Sequence, residues 1–348
     1  MTTVFVSHPQ DKLEHYFGPK AVAALQTIAE VRFNPEAREL DVAELIAAAR
    51  GSDVLIAYRQ TPGPDRLFRE LPQLAAFLRC AVDISTVDVA AASAHGVLVT
   101  HASAGFVAAV SEWIIAMMID LGRGISQYAE SYHYGPPPLP FMGRELRGST
   151  LGVIGHGQIS KALCKLAAAF DMRVLVTTPE PIEERESLRQ VPLATLLAQS
   201  HYVVCLAPAN ARTHNMIDAA AFAAMRPGTF FVNASRGELV DEAALLAALE
   251  SGHLGGCALD VGRAPDQMPA PELGRHPRVI ATPHIGGLTL PATEHQAMET
   301  VSQVTALLHG EIPPGAVNAP HATRLRQWPR FQVRPSKTTS EVPIRRQT

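Results

Sequence analysis

The 348-residue chain is long enough for two sizeable cores, and its 47% hydrophobic and 18% charged content is that of an ordinary soluble protein. A formal net charge of −3 gives no overall pull toward nucleic acid or an anionic membrane surface. Four scattered cysteines (Cys80, Cys164, Cys205, Cys257), with no C-x-x-C pair and no histidine at ligand spacing, argue against a disulfide framework or a metal site.

Such thiols suit a reducing cytoplasm. The first residues lack a basic segment followed by a long apolar run, so no signal peptide is expected. The most apolar stretch, 106–121, carries Ser111, Glu112 and Asp120 and is too short and polar to span a bilayer.

In chain order, residues 3–7 read as a strand and 16–29 as a helix, with Val22, Leu25 and Ile28 at helical spacing. A short strand at 31–33 precedes a helix over 42–49 that stops at Gly51. Residues 53–57 form a buried-type strand, followed by a Pro-Gly-Pro turn and a helix over 65–71. Strands at 74–80 and 97–99 flank a helix over 87–94. A long helix over 107–132 ends the first alternation, and the prolines at 136–138 and 140 force a loop.

The alternation then begins afresh. Strands are expected at 150–154, 173–177, 202–206, 229–233, 256–261 and 279–281, with helices over 161–170, 193–198, 219–225 and 241–249 between them. Repeated strand–helix order indicates mostly parallel sheets covered on both faces. A helix over 291–308 is expected to pack back on the first unit. From residue 320 the apolar periodicity ends. Residues 320–348 read as a basic, disordered, solvated tail, with a local nucleic-acid or membrane contact as the alternative.

The segment Leu151-Gly-Val-Ile-Gly155-His-Gly157-Gln-Ile-Ser160 places a strand before two glycines and a helix after them. Gly155 permits a tight turn and Gly157 lets a pyrophosphate approach the backbone. The helix N-terminus at Gln158 and Ile159 offers free N–H groups, and Ser160 is small enough for close helix–strand packing. This is a dinucleotide-binding pattern. At the end of the next strand an acidic residue would hold the ribose of NAD, but Thr178 stands there. Glu180 is close and Arg185 a little further, so NAD and NADP both remain open.

Three more strand ends carry charged groups: Arg236 in NASRG, Asp260 in ALDV and His284 in TPHIGG. Singly, each reads equally as a capping arginine, a turn aspartate or a core histidine. Together with ELRGSTLGVIGHGQI and NASRGELVDEAALLAAL, in this order and at these separations, they resemble the D-isomer-specific 2-hydroxyacid dehydrogenases. The resemblance covers about residues 1–318, with VSEWIIAMMIDLGRGI resembling the helix that links the family's two domains.

The resemblance implies two doubly wound parallel-sheet α/β domains. One is a flavodoxin-like substrate domain (1–102 with 288–319) and the other a Rossmann cofactor domain (103–287). Arg236 would bind the substrate carboxylate and 2-oxo group, a role suited to a permanently charged forked donor. His284 would be the general acid/base, its ordinary pKa lying near neutrality. Leu206, Ala207, Pro208, Thr213, Ala234, Ser235, Asp260, Gly286 and Gly287 match positions around the cofactor. Arg59, Val82 and Asp83 match positions bordering the substrate. A homodimer built through the cofactor domain is implied, with a small 2-oxo or 2-hydroxy acid as the ligand and no nucleic acid, membrane or metal.

Two departures stand out. The family's glutamate, which pairs with the catalytic histidine, falls on Pro265, leaving Asp266 next door (or Glu272) as its substitute. Asp83 occupies a glycine position of the loop that presents N–H groups to the substrate, where its charge would oppose a carboxylate if it faced the cleft. The leading expectation is an NAD(P)-dependent dehydrogenase or reductase. The alternative is an NAD(P)-binding protein with little or no turnover that acts through its cofactor-dependent conformation. Hydride transfer without a proton relay, as in the related formate dehydrogenases, is disfavoured because proline cannot imitate their glutamine amide.

Overall fold

The computed structural model describes residues 1–328, the side chain of Asp266 excepted. They form two compact units, one from Met1–Gly105 with the chain from Leu290 onward, the other Phe106–Thr289. The first opens with β1 (Thr3–Val6), α1 (Gln10–Tyr16), α2 (Gly18–Ile28), β2 (Glu30–Phe33) and α3 (Val42–Ala49). It continues with β3 (Val54–Ala57), α4 (Asp65–Glu70), β4 (Ala76–Arg79), α5 (Val89–Ala94) and β5 (Leu98–His101). The helix expected over 16–29 is α2, which Pro19 starts in its first turn; α1 before it was not expected.

All five strands are parallel, in the order β2-β1-β3-β4-β5, the flavodoxin-like arrangement. Side chains alternate strictly between two cores. Val4, Val6, Val54 and Ile56 face the layer containing Ala21 and Leu25 of α2, while Phe5, Leu55, Ala57 and Phe77 face Leu45, Leu67 and Phe68 of α3 and α4. With both faces covered, strands of four apolar residues suffice.

The second unit begins with α6 (Val107–Arg123) and α7 (Ile125–Tyr134). One helix over 107–132 was expected; Gly124, at φ +64°, breaks it in two, since only glycine adopts that turn readily. Then follow β6 (Thr150–Ile154), α8 (Gln158–Ala169), β7 (Arg173–Thr177), β8 (Leu188–Gln190), α9 (Leu193–Gln199), β9 (Tyr202–Cys205) and α10 (Ala219–Ala224). The unit closes with β10 (Thr229–Asn233), α11 (Glu242–Glu250), β11 (Leu254–Leu259), α12 (Pro271–Gly274) and β12 (Val279–Ala281). Its seven parallel strands run β12-β11-β10-β9-β6-β7-β8, so the chain starts in the middle and winds outward both ways. The edge strand β8 escaped the sequence pattern because its three residues, Leu-Arg-Gln, carry no run of apolar side chains.

Returning to the first unit, α13 (Leu290–Leu308) buries Ala297, Val301, Val304 and Leu307 in the same core as α2. Beyond it lies a correction. Residues 320–328, expected to be disordered, fold into a turn and α14 (Thr323–Gln327). Leu325 and Trp328 enter the core beside Val4 and Leu78. The Arg324 guanidinium donates to the carbonyls of Leu71 (2.7 Å), Leu74 (3.0 Å) and Phe68 (2.9 Å), capping the end of α4. Two apolar residues among arginines carry no readable period, and a cation serving as a carbonyl cap leaves no sequence trace. The remainder of that expected tail, 329–348, lies outside the described residues.

Leu325→Ala should lower the stability of the first unit by about 2–5 kcal/mol, read as a shift in the urea midpoint. A change under about half a kcal/mol, the range of an ordinary surface substitution, would mean that α14 is not part of the core. A second expectation concerns His8, buried between the rings of Phe17 and Tyr58, each 5.2 Å away. Burial, and then the neighbouring Arg79 charge, lower its pKa from 6.5 to about 3. The unfolded chain therefore takes up a proton that the fold refuses. Stability is intact above about pH 6.5 and falls as the pH drops toward 3, by about 1.4 kcal/mol per unit. Urea midpoints between pH 7 and 4 should decline less steeply in His8→Leu; parallel declines would clear His8 of the effect.

Candidate functional site

In the second unit β6 and β9 are neighbours, but the chain leaves them toward opposite edges, and ligands bind at the carboxyl end of such a switch point. Gly155 follows β6 at φ +97°, and a Cβ there would stand 2.7 Å from the Leu206 carbonyl oxygen and 2.9 Å from the Ala207 nitrogen. Both strain and overlap thus demand glycine. Gly157, the residue before α8, is different: nothing lies within 4 Å of where its Cβ would be. The protein itself has no need of glycine there, whereas a pyrophosphate lying on the backbone would. No side chain caps α8, leaving the N–H groups of Gln158 and Ile159 for such a ligand, and Ser160 is buried where the helix meets the sheet. The turn fits a dinucleotide. His156, between the glycines, has its pKa lowered by burial and then by Lys161.

At the end of β7 the Thr178 hydroxyl donates to the Glu180 carboxylate (3.2 Å), while the Gln190 amide donates to the carbonyls of Thr178 (2.9 Å) and Glu180 (3.0 Å). A carboxylate is therefore held two residues beyond the usual position. Glutamine on β8 does the holding, and spacing alone did not reveal it.

Past β10, the buried Asn233 amide donates to the Arg236 carbonyl (2.9 Å) and its oxygen accepts the Ser235 N–H (3.1 Å), fixing the turn that carries Ala234, Ser235 and Arg236. The Ser235 hydroxyl donates to the Ala207 carbonyl, which ties this turn to the one after β9. The Arg236 guanidinium reaches its neighbour's carbonyl at Ser235 (2.8 Å). Gly237 lies directly against the Gly262 backbone, leaving no space for a side chain. Further along the β9 loop the Thr213 hydroxyl donates to the Pro208 carbonyl (2.7 Å) and accepts the Asn210 N–H (2.9 Å).

Asp260 is the centre of the next turn. It is buried after β11, and its carboxylate accepts three bonds from the segment bearing His284. They come from the Thr282 hydroxyl (2.6 Å), the Ile285 N–H (2.8 Å) and the Gly286 N–H (2.8 Å). A Cβ on Gly286 would stand 2.8 Å from the same carboxylate. His284 itself has φ +56°, a left-handed conformation that a non-glycine residue holds only when its surroundings impose it. Asp260 imposes it. Gly287, next in the turn, lies close to Phe106. Sequence reading placed Asp260 against the cofactor; the structure adds that both of its oxygens already serve the histidine turn.

Pro265, where the resemblance would place the family's glutamate, opens a tight turn, Pro265–Gln267, closed by Gly262 N–H to Gln267 carbonyl (2.8 Å). The side chain of Asp266, expected as a substitute, lies outside the described residues. In the first unit, Arg59 follows β3 with its guanidinium 5.7 Å from the Tyr16 ring centroid. Val82 is exposed after β4, and the Asp83 carboxylate accepts the Ser85 N–H (2.8 Å), closing its own loop. Among the described residues no group of three or more His, Cys, Asp or Glu could hold a metal, and no helix is long and apolar enough to cross a membrane.

Residues 115–286 match the family model described as D-isomer specific 2-hydroxyacid dehydrogenase, NAD binding domain. A glyoxylate reductase from Thermococcus gammatolerans is 31% identical over 301 residues, 83% of this chain and 90% of the relative. A D-3-phosphoglycerate dehydrogenase from Mycobacterium tuberculosis is 32% identical over 304 residues, but those span 86% of this chain and only 57% of that longer protein. Among solved structures, a protein from Thermus thermophilus superposes with a TM-score of 0.83 at 28% identity, covering 91% of this chain and all of the other.

Asp260→Asn should destabilise the second unit by about 1–3 kcal/mol, because an amide cannot accept from both the Ile285 and Gly286 N–H groups while keeping Thr282. Urea unfolding followed by the fluorescence of Trp113, which lies beside Gly286, measures it. An unchanged midpoint would show that the turn holds itself.

Proposed function

The chain belongs to the D-isomer-specific 2-hydroxyacid dehydrogenase family, and from that premise we propose that it transfers a hydride between NAD and a small 2-oxo or 2-hydroxy acid. The observation that carries this reading is the paired fixing of two reactive side chains past β10 and β12, strand ends separated only by β11. Asn233 sets the turn of Arg236, and Asp260 sets the turn of His284.

Gly155, Gly157, Gln158 and Ile159 would hold the pyrophosphate, with Leu206, Ala207, Pro208, Thr213, Ala234, Ser235, Gly286 and Gly287 lining the rest of the cofactor. When bound, the nicotinamide supplies or accepts the hydride. Arg236 receives the substrate carboxylate in its fork and polarises the 2-oxo group. In reduction, hydride adds to C2 while the protonated His284 ring gives its proton to the oxygen, leaving a 2-hydroxy acid; oxidation runs the same transfers backward. Arg59, Val82 and Asp83 are the substrate-side residues of the first unit.

Glu180 favours NAD over NADP, since a carboxylate at the end of β7 accepts ribose hydroxyls and repels a 2′-phosphate. The exposed apolar residues Tyr132, Tyr134, Leu139, Phe141 and Met142 on α7 and the loop after it support a homodimer through this unit. Four free, buried thiols fit a cytoplasmic setting.

A second reading is favoured by one feature. Pro265 stands where the resemblance would place the family's glutamate, and on this reading the protein binds NAD and turns over slowly or not at all. Purified protein titrated with NADH and NADPH, then assayed with glyoxylate, hydroxypyruvate, pyruvate and longer or aromatic 2-oxo acids, decides between the two. Turnover with at least tenfold preference for NADH is expected. His284→Ala should lower kcat by about 10²- to 10⁴-fold, and Glu180→Gln should narrow the NADH preference. Cofactor binding without turnover from pH 5 to 8 selects the second reading.

A further inference from the structure

One buried charge plays no part in the scheme above. Arg79 ends β4 at 0% exposure, beside two apolar cores. A guanidinium taken out of water needs oxygens around it, and those it finds belong to uncharged groups on two loops. It donates to the Tyr58 carbonyl and to the Thr61 carbonyl (2.9 Å) on the loop after β3, and to the Thr86 hydroxyl on the loop after β4. Its remaining Nε is buried without a partner among the described residues. The loop after β3 is gripped from the other side as well. The Tyr58 N–H donates to the Ser7 hydroxyl (2.9 Å), which in turn meets the Thr61 hydroxyl (2.7 Å).

The position matters more than the bonds. Ser7 and Tyr58 follow β1 and β3, the adjacent strands at which the order of this sheet reverses. Arg79, at the end of the neighbouring strand β4, reaches the switch point through Tyr58, on the edge where such sheets bind ligands. The two loops it joins carry Arg59 and, four residues past Arg79 itself, Asp83. Burial lowers the Arg79 pKa to about 10 while the Asp83 charge pulls it back up, so the group stays cationic at neutral pH. An arginine that merely filled space would not direct three bonds to two loops. A planar fork is suited to bridging them.

We propose that Arg79 is a positioning residue for the substrate side: its buried guanidinium clamps loops 58–61 and 80–86 in one register and so sets the affinity for an anionic 2-oxo acid without touching it. This rests on the hydride-transfer reading, but the clamp and the chemistry fail in different ways. Arg79→Met removes the fork while keeping an unbranched apolar stem. Hydrogen exchange of peptides covering 58–61 and 80–86 should speed up together by at least tenfold, with peptides over 150–160 unchanged. Oxalate, which mimics the carboxylate and 2-oxo group, should bind the protein–NADH complex at least tenfold more weakly, with NADH affinity altered less than twofold. KM for the best 2-oxo acid should rise by a similar factor and kcat should change by less than threefold in either direction.

Arg79→Lys keeps the charge and loses the fork, so it should recover less than half of the lost oxalate affinity on a logarithmic scale; full recovery would reduce the clamp to a charge effect and overturn it. Should Arg79→Met fail to fold, Thr86→Val releases the second loop alone. Exchange should then rise over 80–86 and not over 58–61, with oxalate weakened about threefold. Unchanged exchange in both loops, or unchanged oxalate affinity, refutes the proposal. A wild type that binds NADH but not oxalate refutes the link to substrate. A wild type that binds oxalate yet turns nothing over sinks only the hydride-transfer reading.

Discussion

A parallel sheet whose strand order reverses must send its chain away from one point in two directions, and the loops that leave there cannot cover it. Both units obey this constraint. In the second, the reversal between β6 and β9 brings Gly155 against Leu206 and Ala207, and the Ser235 hydroxyl fastens the β10 turn to the same place. In the first, the reversal between β1 and β3 gathers Ser7, His8 and Tyr58, and Arg79 reaches Tyr58 from the end of β4. Every residue assigned a role in cofactor or substrate handling lies on a carboxyl edge, because only there do neighbouring loops diverge enough to leave backbone groups unspent.

Two buried charges organise those edges, and they do so in opposite ways. Asp260 is an anion surrounded by N–H and hydroxyl donors from one turn, and it holds a histidine in a backbone conformation that the residue would not choose. Arg79 is a cation surrounded by carbonyl and hydroxyl oxygens from two loops. Among the described residues, the hydrogen bonds of both go to uncharged groups. Each converts the cost of leaving water into a geometric restraint, since any motion of the loop strips bonds from a charge that has no solvent to replace them.

The departures from the family pattern look less disruptive once these restraints are in view. Asp83, expected to stand at a glycine position, spends a carboxylate oxygen on the Ser85 N–H within its own loop. Pro265 opens a turn of its own, and the histidine turn is anchored through Asp260 from another strand end. The turn that carries the imidazole is thus held by its backbone donors to Asp260.

The alternation of strands and helices, the Gly155–Gly157 turn, and the charged strand ends at Arg236, Asp260 and His284 were legible in the sequence. They depend on short-range patterns: apolar runs of strand length, glycine before a helix, a polar residue just past a strand. The split at Gly124, the three-residue β8 and the folded segment through Trp328 were not legible, because each depends on what packs against it. The roles of Glu180, Asp260 and Arg79 belong with these. Gln190 is ten residues from Glu180, Thr282 lies 22 residues beyond Asp260, and Arg79 reaches back 21 residues to Tyr58. Local chemistry set which residues could act. Contacts across neighbouring strand ends, which form only when the sheets assemble, decided what each of them holds.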